Sequence, residues 1–260
     1  MKKARAAVLF FLLIIMAVVF TGCVARLGRA VPSSGSVGST ITLKGSRFGD
    51  STGEARVMFG DAEGRVVFWS NREIKVKVPE GADSGDISIV RDDETTKTVK
   101  FRLLEEEYDV LVEKDLIPME SVQEIEAEGL AVTLPPGIIG SNTKLVISKV
   151  SNAPGFQDDM YAETDVYSIE IGNTETFNDF LVLEFDIDKK IGDSQYIRAA
   201  YWNEDMQEWT EAPTHVDMEN GVARVYTSHL TNWRLLALKQ IYSVHETGRF
   251  IIAYNKKDNA

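Results

Sequence analysis

Between Val31 and Phe101 every apolar run is short, alternates with polar residues and stops at a turn signal. Ile41 and Leu43 fall on one side of an extended chain, with Thr40, Thr42 and Lys44 on the other. Ile74, Val76 and Val78 alternate in the same way with Lys75 and Lys77. A period of two places one face of a strand on a core and leaves the other in water. The breaks at Pro32-Ser33-Ser34-Gly35, Gly45-Ser46, Gly60-Asp61, Pro79-Glu80-Gly81 and Ser84-Gly85-Asp86 supply turns at regular spacing. Short strands so spaced predict a small antiparallel sandwich over residues 31–103.

The run P-x-x-G-x-x-G-x-x-I-x-L-x-G-x-x-F-G from Pro32, followed by V-x-F-G, W-S, I-x-V-x-V-P and G-x-x-S-G, resembles the IPT/TIG domains. The resemblance implies an immunoglobulin-like fold of the kind found in surface receptors, transcription factors and bacterial envelope proteins. The matching residues are structural: Gly38 and Gly45 are expected in tight turns, and Phe48 and Trp69 in the core. Such a resemblance speaks to fold more than to function.

The chain begins with Lys2, Lys3 and Arg5, then an unbroken apolar stretch from Ala6 to Phe20, then Thr21, Gly22 and Cys23. A basic start, an apolar middle and small residues before a cut describe a secretory signal. The pattern resembles a bacterial lipobox, with Phe20 where that family carries Leu or another small aliphatic residue. The resemblance implies cleavage before Cys23, a lipid on its thiol and a bilayer as partner. The alternative is an uncleaved anchor, since Ala6 to Ala25 matches the roughly 20 residues a spanning helix needs. Either way the body is expected outside the cytoplasm, in the cell envelope. Cys23 is the only cysteine, so no disulfide is expected and stability must come from packing.

Residues 23–30 read as a tether, and the acidic stretch 104–119, ending near Pro118, as an exposed linker. Strand patterning returns over 120–240. Leu130, Val132 and Leu134 alternate up to Pro135-Pro136-Gly137, and Leu181, Leu183 and Phe185 alternate with Val182, Glu184 and Asp186. The runs G-L-x-V-x-L-P-P-G, Y-W-N-E-D-x-x-x-W and T-S-H-L-T-N-W resemble ZU5-like domains, which implies a second β-sandwich. Residues 241–260 contain one further strand, Phe250 to Tyr254, which either docks on that sandwich or opens another domain, as in longer peptidase-like envelope proteins.

Composition narrows the function. The net charge is −12, and the body beyond the signal is more negative by three. An acidic body argues against a nucleic-acid partner. His215, His229 and His245 stand at no metal-ligand spacing, and no nucleophile-elbow, phosphate-loop or dinucleotide motif occurs. Ser228 and His229 are neighbours on a strand and point to opposite faces. The carboxylates Asp92, Asp93 and Glu94, and Asp158, Asp159, Glu163 and Asp165, read as solvated loop acids, with no EF-hand pattern.

Among Tyr201, Trp202, Trp209 and Trp233, strand alternation turns Tyr201 and Trp202 to opposite faces. Most of this set belongs in a core, and Trp202 is expected at the surface as the candidate ligand-stacking residue. The reading is an all-β protein of two tandem β-sandwiches after an N-terminal signal or anchor helix. It has no catalytic residues, metal or cofactor, a lipid on Cys23, and a protein or glycan partner at the cell surface. The alternatives are a glycan-binding module using Trp202, or the non-catalytic front of a larger envelope enzyme.

Overall fold

The alternation becomes strands: in the computed structural model of this protein, every regular element among the described residues is extended. The structure describes residues 25–91, 94–156, 161–162, 164–188, 191, 196–239, 242–246 and 251–255. Cys23 and the predicted signal helix lie outside them. The chain divides between Leu103 and Leu104 into two compact units.

The first unit holds β1 (Arg26–Val31), β2 (Ser34–Gly35), β3 (Thr40–Ser46), β4 (Arg56–Phe59), β5 (Ala62–Trp69), β6 (Glu73–Lys77), β7 (Gly85–Arg91), β8 (Glu94–Thr95) and β9 (Val99–Leu103). They follow the order β1-β3-β6-β5-β4-β7-β9-β2, with β8 on β7. The sheet closes over itself at β5. Its first residues, Ala62 to Gly64, pair with β4, and Arg65 to Trp69 pair with β6. Gly64 marks the change of partner. A Cβ there would fall 2.5 Å from Val76 Cγ2 and 2.8 Å from Phe59 Cε2. The two halves therefore close only because position 64 has no side chain.

Ile41, Leu43, Val57, Phe59, Ile74, Val76, Ile87 and Phe101 fill the space between the halves. Phe48 is buried with them, and the half-buried Trp69 packs against the same core. The Trp69 indole donates to Gly49 O at 3.2 Å. Three expectations are corrected. Residues 26–30 are not tether: with Val31 they form β1, hydrogen-bonded to β3. Gly45 is no turn residue but pairs with Leu27 inside a strand, under the Phe48 ring. Lys77, on the polar side of the alternation, is 1% exposed; its register neighbours are Thr40 and Arg65.

The second unit is a two-sheet sandwich. One sheet contains β10 (Glu107–Leu116), β13 (Thr143–Ser151), β14 (Val166–Ile171), β20 (Asn232–Ala237), β16 (Ile197–Asn203) and β17 (Glu208–Ala212), in that order. The other contains β11 (Gln123–Ala127), β12 (Leu130–Leu134), β15 (Thr176–Asp186), β19 (Val222–His229) and β18 (His215–Asp217). Leu130, Val132, Leu134, Leu181, Leu183 and Phe185 meet Leu145, Ile147, Ile169, Trp233 and Leu235 between them. The expected linker over 104–119 is corrected, because most of it is β10, an edge strand paired along its length with β13. Its acidic outward residues disguised it. A separate hairpin joins β21 (Tyr242–Glu246) to β22 (Ile251–Asn255), so the expected lone strand has a partner of its own.

The six-stranded sheet is covered on both faces. Behind it Val150, Val166, Ala200, Trp202, Trp209 and Leu236 form a second cluster, joined by Phe156 and Tyr161 of the β13–β14 connection. Arg234, 2% exposed, holds that connection in place. Its Nε donates to Thr164 Oγ1 at 3.2 Å and its Nη2 to Thr164 O at 3.1 Å. Its guanidinium lies 5.3 Å from the centre of the Trp209 ring. The Trp209 indole donates to Pro154 O at 2.7 Å.

Two substitutions test this packing. A Cβ at Gly45 would stand 2.2 Å from Arg26 O and 2.3 Å from Phe48 Cζ. Gly45→Ala is expected to destabilise the first unit by ~2 kcal/mol or more in urea denaturation. Gly85→Ala, with nothing within 4 Å, should stay within about 0.5 kcal/mol of wild type. Arg234→Met strands the Thr164 carbonyl it serves and is expected to cost the second unit about 1–3 kcal/mol. Acrylamide should then quench tryptophan emission more strongly, as the cover over Trp202 and Trp209 loosens.

Candidate functional site

A concavity of about 540 Å³ lies at one end of the second sandwich. Three local features build it. The first is the turn after β12. Pro136 and Gly137 occupy its centre, Gly137 has φ 74°, and Ile138 N donates to Pro135 O at 3.4 Å. Proline followed by a residue with positive φ is the chemistry of a type II turn. The loop then runs to Thr143, anchored in the core by the buried Ile139.

The second feature is the turn after β14. Thr174 N donates to Ile171 O at 3.0 Å, and Gly172 N to Lys144 O at 2.9 Å. Gly172 has φ 56°, and a Cβ there would lie 2.4 Å from Thr143 Oγ1. Only glycine lets this turn lie so close to the first loop.

The third feature is a break in register along β15. Thr176 pairs with His229, and the next pair is Leu181 with Thr227. The chain advances five residues on β15 against two on β19, so residues 177–180 bulge out of the ladder. Bulges of this kind re-aim side chains at the edges of sites. Phe177, Asn178 and Asp179 line the groove, and the next residue, Phe180, is 59% exposed.

The groove wall is rich in amides and hydroxyls. Asn142, Asn173 and Asn178 are exposed, beside Ser141, Thr174 and Thr176. Asp179 is its one carboxylate, and no Lys, Arg or His occurs among the described residues that line it. This site was not legible in the sequence, since its polar residues sit in turns and a bulge. The Pro-Pro-Gly turn was the only legible part.

The expected stacking residue is placed differently. Trp202 is 8% exposed, edge-on to Trp209 at 5.5 Å between ring centres. Alternation does send Tyr201 to the core and Trp202 to the opposite face, but the β13–β14 connection covers that face. Tyr201 packs 5.4 Å from Trp233 and 4.5 Å from His229. His215 lies on β18 and His245 on β21, apart from His229 on β19. Among the described residues no group of three or more His, Cys, Asp or Glu is arranged to hold a metal.

A smaller cavity of about 60 Å³ adjoins Tyr167, Asp165, Asp186 and Asp188. Burial first, and then these carboxylates with Glu128, push the Tyr167 phenol up to about 12. Lys149 pairs with Asp165 at 2.7 Å.

Burial holds the His229 imidazole below its ordinary range. Its Nδ1 lies 3.2 Å from Thr227 Oγ1, while its Nε2 and the Trp233 Nε1 have no hydrogen-bond partner among the described residues. A base whose pKa is lower folded than unfolded stabilises the fold while neutral. That stability is complete above the unfolded value of about 6.5 and is lost as pH falls through it toward the folded value. The urea midpoint of the second unit is therefore expected to drop on acidification below about pH 6.5, and less steeply in His229→Gln.

Known proteins resemble this chain in parts. The IPT/TIG domain family matches residues 26–103. A cyclomaltodextrin glucanotransferase of Bacillus sp. (strain 1-1) is 40% identical over 65 residues, which are 25% of this chain and 9% of that enzyme. The enzyme of the same name from Thermoanaerobacterium thermosulfurigenes is 42% identical over 53 residues, 20% of this chain and 7% of its own. This chain thus spans less than a tenth of the length of these curated relatives. Among solved structures, an auxiliary nutrient binding protein from Bacteroides thetaiotaomicron VPI-5482 aligns over 91% of this chain and 68% of its own, at 13% identity and a TM-score of 0.28. A putative phosphatase from the same organism aligns over 62% and 45%, at 14% identity and a TM-score of 0.29. Scores this low establish no shared architecture for the whole chain. The match to the first unit rests on sequence over its full length: residues 26–103 are an IPT/TIG domain.

Proposed function

We propose that this is a cell-envelope lipoprotein that works by display and binding rather than by catalysis. The observation that carries this reading is the IPT/TIG domain of residues 26–103. An immunoglobulin-like sandwich offers loops and strand edges to a partner on a rigid frame. The second unit is ZU5-like in this reading, on its Leu134-Pro135-Pro136-Gly137 turn, Trp209 and the Ser228-to-Thr231 run. It acts as a binding or adhesion module and a spacer, with its groove as the concave surface a ligand enters.

The basic residues Lys2, Lys3 and Arg5, the apolar stretch to Phe20 and the lone Cys23 support an extracytoplasmic, membrane-anchored body. A single acyl chain binds a bilayer only marginally, so the cysteine must carry more than one for firm attachment. The acidic charge of the body favours solubility and disfavours anionic partners.

Intact mass of the chain expressed in a bacterium tests the reading. Wild type is expected to lose residues 1–22 and gain the mass of a lipid, and Cys23→Ala to show neither change. A wild-type chain that is uncut and unmodified contradicts the lipoprotein.

A further inference from the structure

We infer that the groove at the end of the second sandwich is a binding site for a neutral, polyhydroxylated ligand of the carbohydrate class. This rests on the binding reading above and adds to it a site and a ligand chemistry. Three observations point there.

The first is the donor and acceptor inventory. Asn142, Asn173 and Asn178 line the groove and are exposed to solvent. Each amide offers a carbonyl acceptor and an NH₂ donor side by side. That pairing matches a hydroxyl group, which both donates and accepts, and a pair of vicinal hydroxyls in particular. Asp179 adds a carboxylate, which accepts from a hydroxyl in a charge-assisted bond.

The second is charge. The described lining holds no cation, so an anionic ligand finds no counter-charge and meets Asp179 instead. A cationic ligand has a single carboxylate to pair with, against three neutral amides.

The third is the apolar element. The half-buried Phe177 packs against the core and shows part of its ring in the wall, and the exposed Phe180 follows the lining residue Asp179 on the same bulge. A sugar presents hydroxyl edges and C–H faces at once, and the mixture of amides and aromatic rings matches both. A peptide adding as a strand finds β13 already paired on both sides, and on β15 only the irregular bulge of residues 177–180 lies outside the ladders.

The experiment titrates the full chain in detergent with neutral hexasaccharides of glucose, xylose, mannose and N-acetylglucosamine. An oligogalacturonate and a neutral extended hexapeptide serve as the anionic and peptide probes. Binding is read by calorimetry and by shifts of the asparagine side-chain NH₂ signals. At least one neutral hexasaccharide is expected to bind and to move the Asn142, Asn173 and Asn178 signals. Asn142→Ala and Asn178→Ala are each expected to weaken binding about 5- to 10-fold. These residues are exposed, and unchanged melting curves will show that the variants fold.

The inference is overturned if no neutral hexasaccharide binds, if the anionic or peptide probe binds better, or if the two variants bind like wild type. The recovered sugar is then sized by mass spectrometry. Intact sugar agrees with a binding protein. Shortened sugar would contradict the non-catalytic reading while leaving the carbohydrate site standing.

Discussion

The inward packing of Leu181, Leu183 and Phe185 sets the second unit, because it fixes the register of β15 between β12 and β19. A shift by one residue would turn all three side chains out to solvent and Val182 and Glu184 into the core. Pairing at the other end of the strand is fixed independently by Thr176 opposite His229. The two constraints disagree by three residues, and the surplus leaves the ladder as a bulge. One wall of the groove, Phe177 to Asp179, is made of that surplus. A core requirement therefore determines where Asn178, Asp179 and Phe180 are displayed.

Packing has to carry the stability of both units, and each buries one basic side chain within it. Lys77 lies in the interior of the first unit and Arg234 behind the six-stranded sheet of the second. A buried charge is costly unless hydrogen bonds replace its lost hydration. Arg234 meets this condition with the Thr164 hydroxyl and carbonyl and with the face of Trp209. In return it pins the β13–β14 connection over Trp202. The same contact that completes the fold thus removes the residue that strand alternation had marked as a surface platform.

The interior of each sheet was legible because burial of one face imposes a period of two. Ile41, Leu43, Ile74, Val76, Leu130, Val132 and Leu134 all lie where alternation puts them. The edges were not. β1 and β10 carry Arg26 and Arg29, or Glu107, Asp109, Glu113 and Asp115, on strands with one free side. Charge there discourages edge-to-edge association and hides the strand among loop-like residues. Trp202 was misplaced because alternation says which face a residue takes, not whether a distant loop covers that face. The groove was invisible apart from its Pro-Pro-Gly turn, since it depends on a register mismatch between strands far apart in sequence.

Amide hydrogen exchange along β15, resolved residue by residue by NMR, tests the origin of the groove most directly. Leu181 to Phe185 are expected to exchange slowly, at the rate of the global core, while Asn178 and Asp179 exchange orders of magnitude faster because the ladder skips them. Uniform protection from Thr176 to Asp186 would mean continuous pairing with β19. The bulge, and the groove wall it forms, would then not exist.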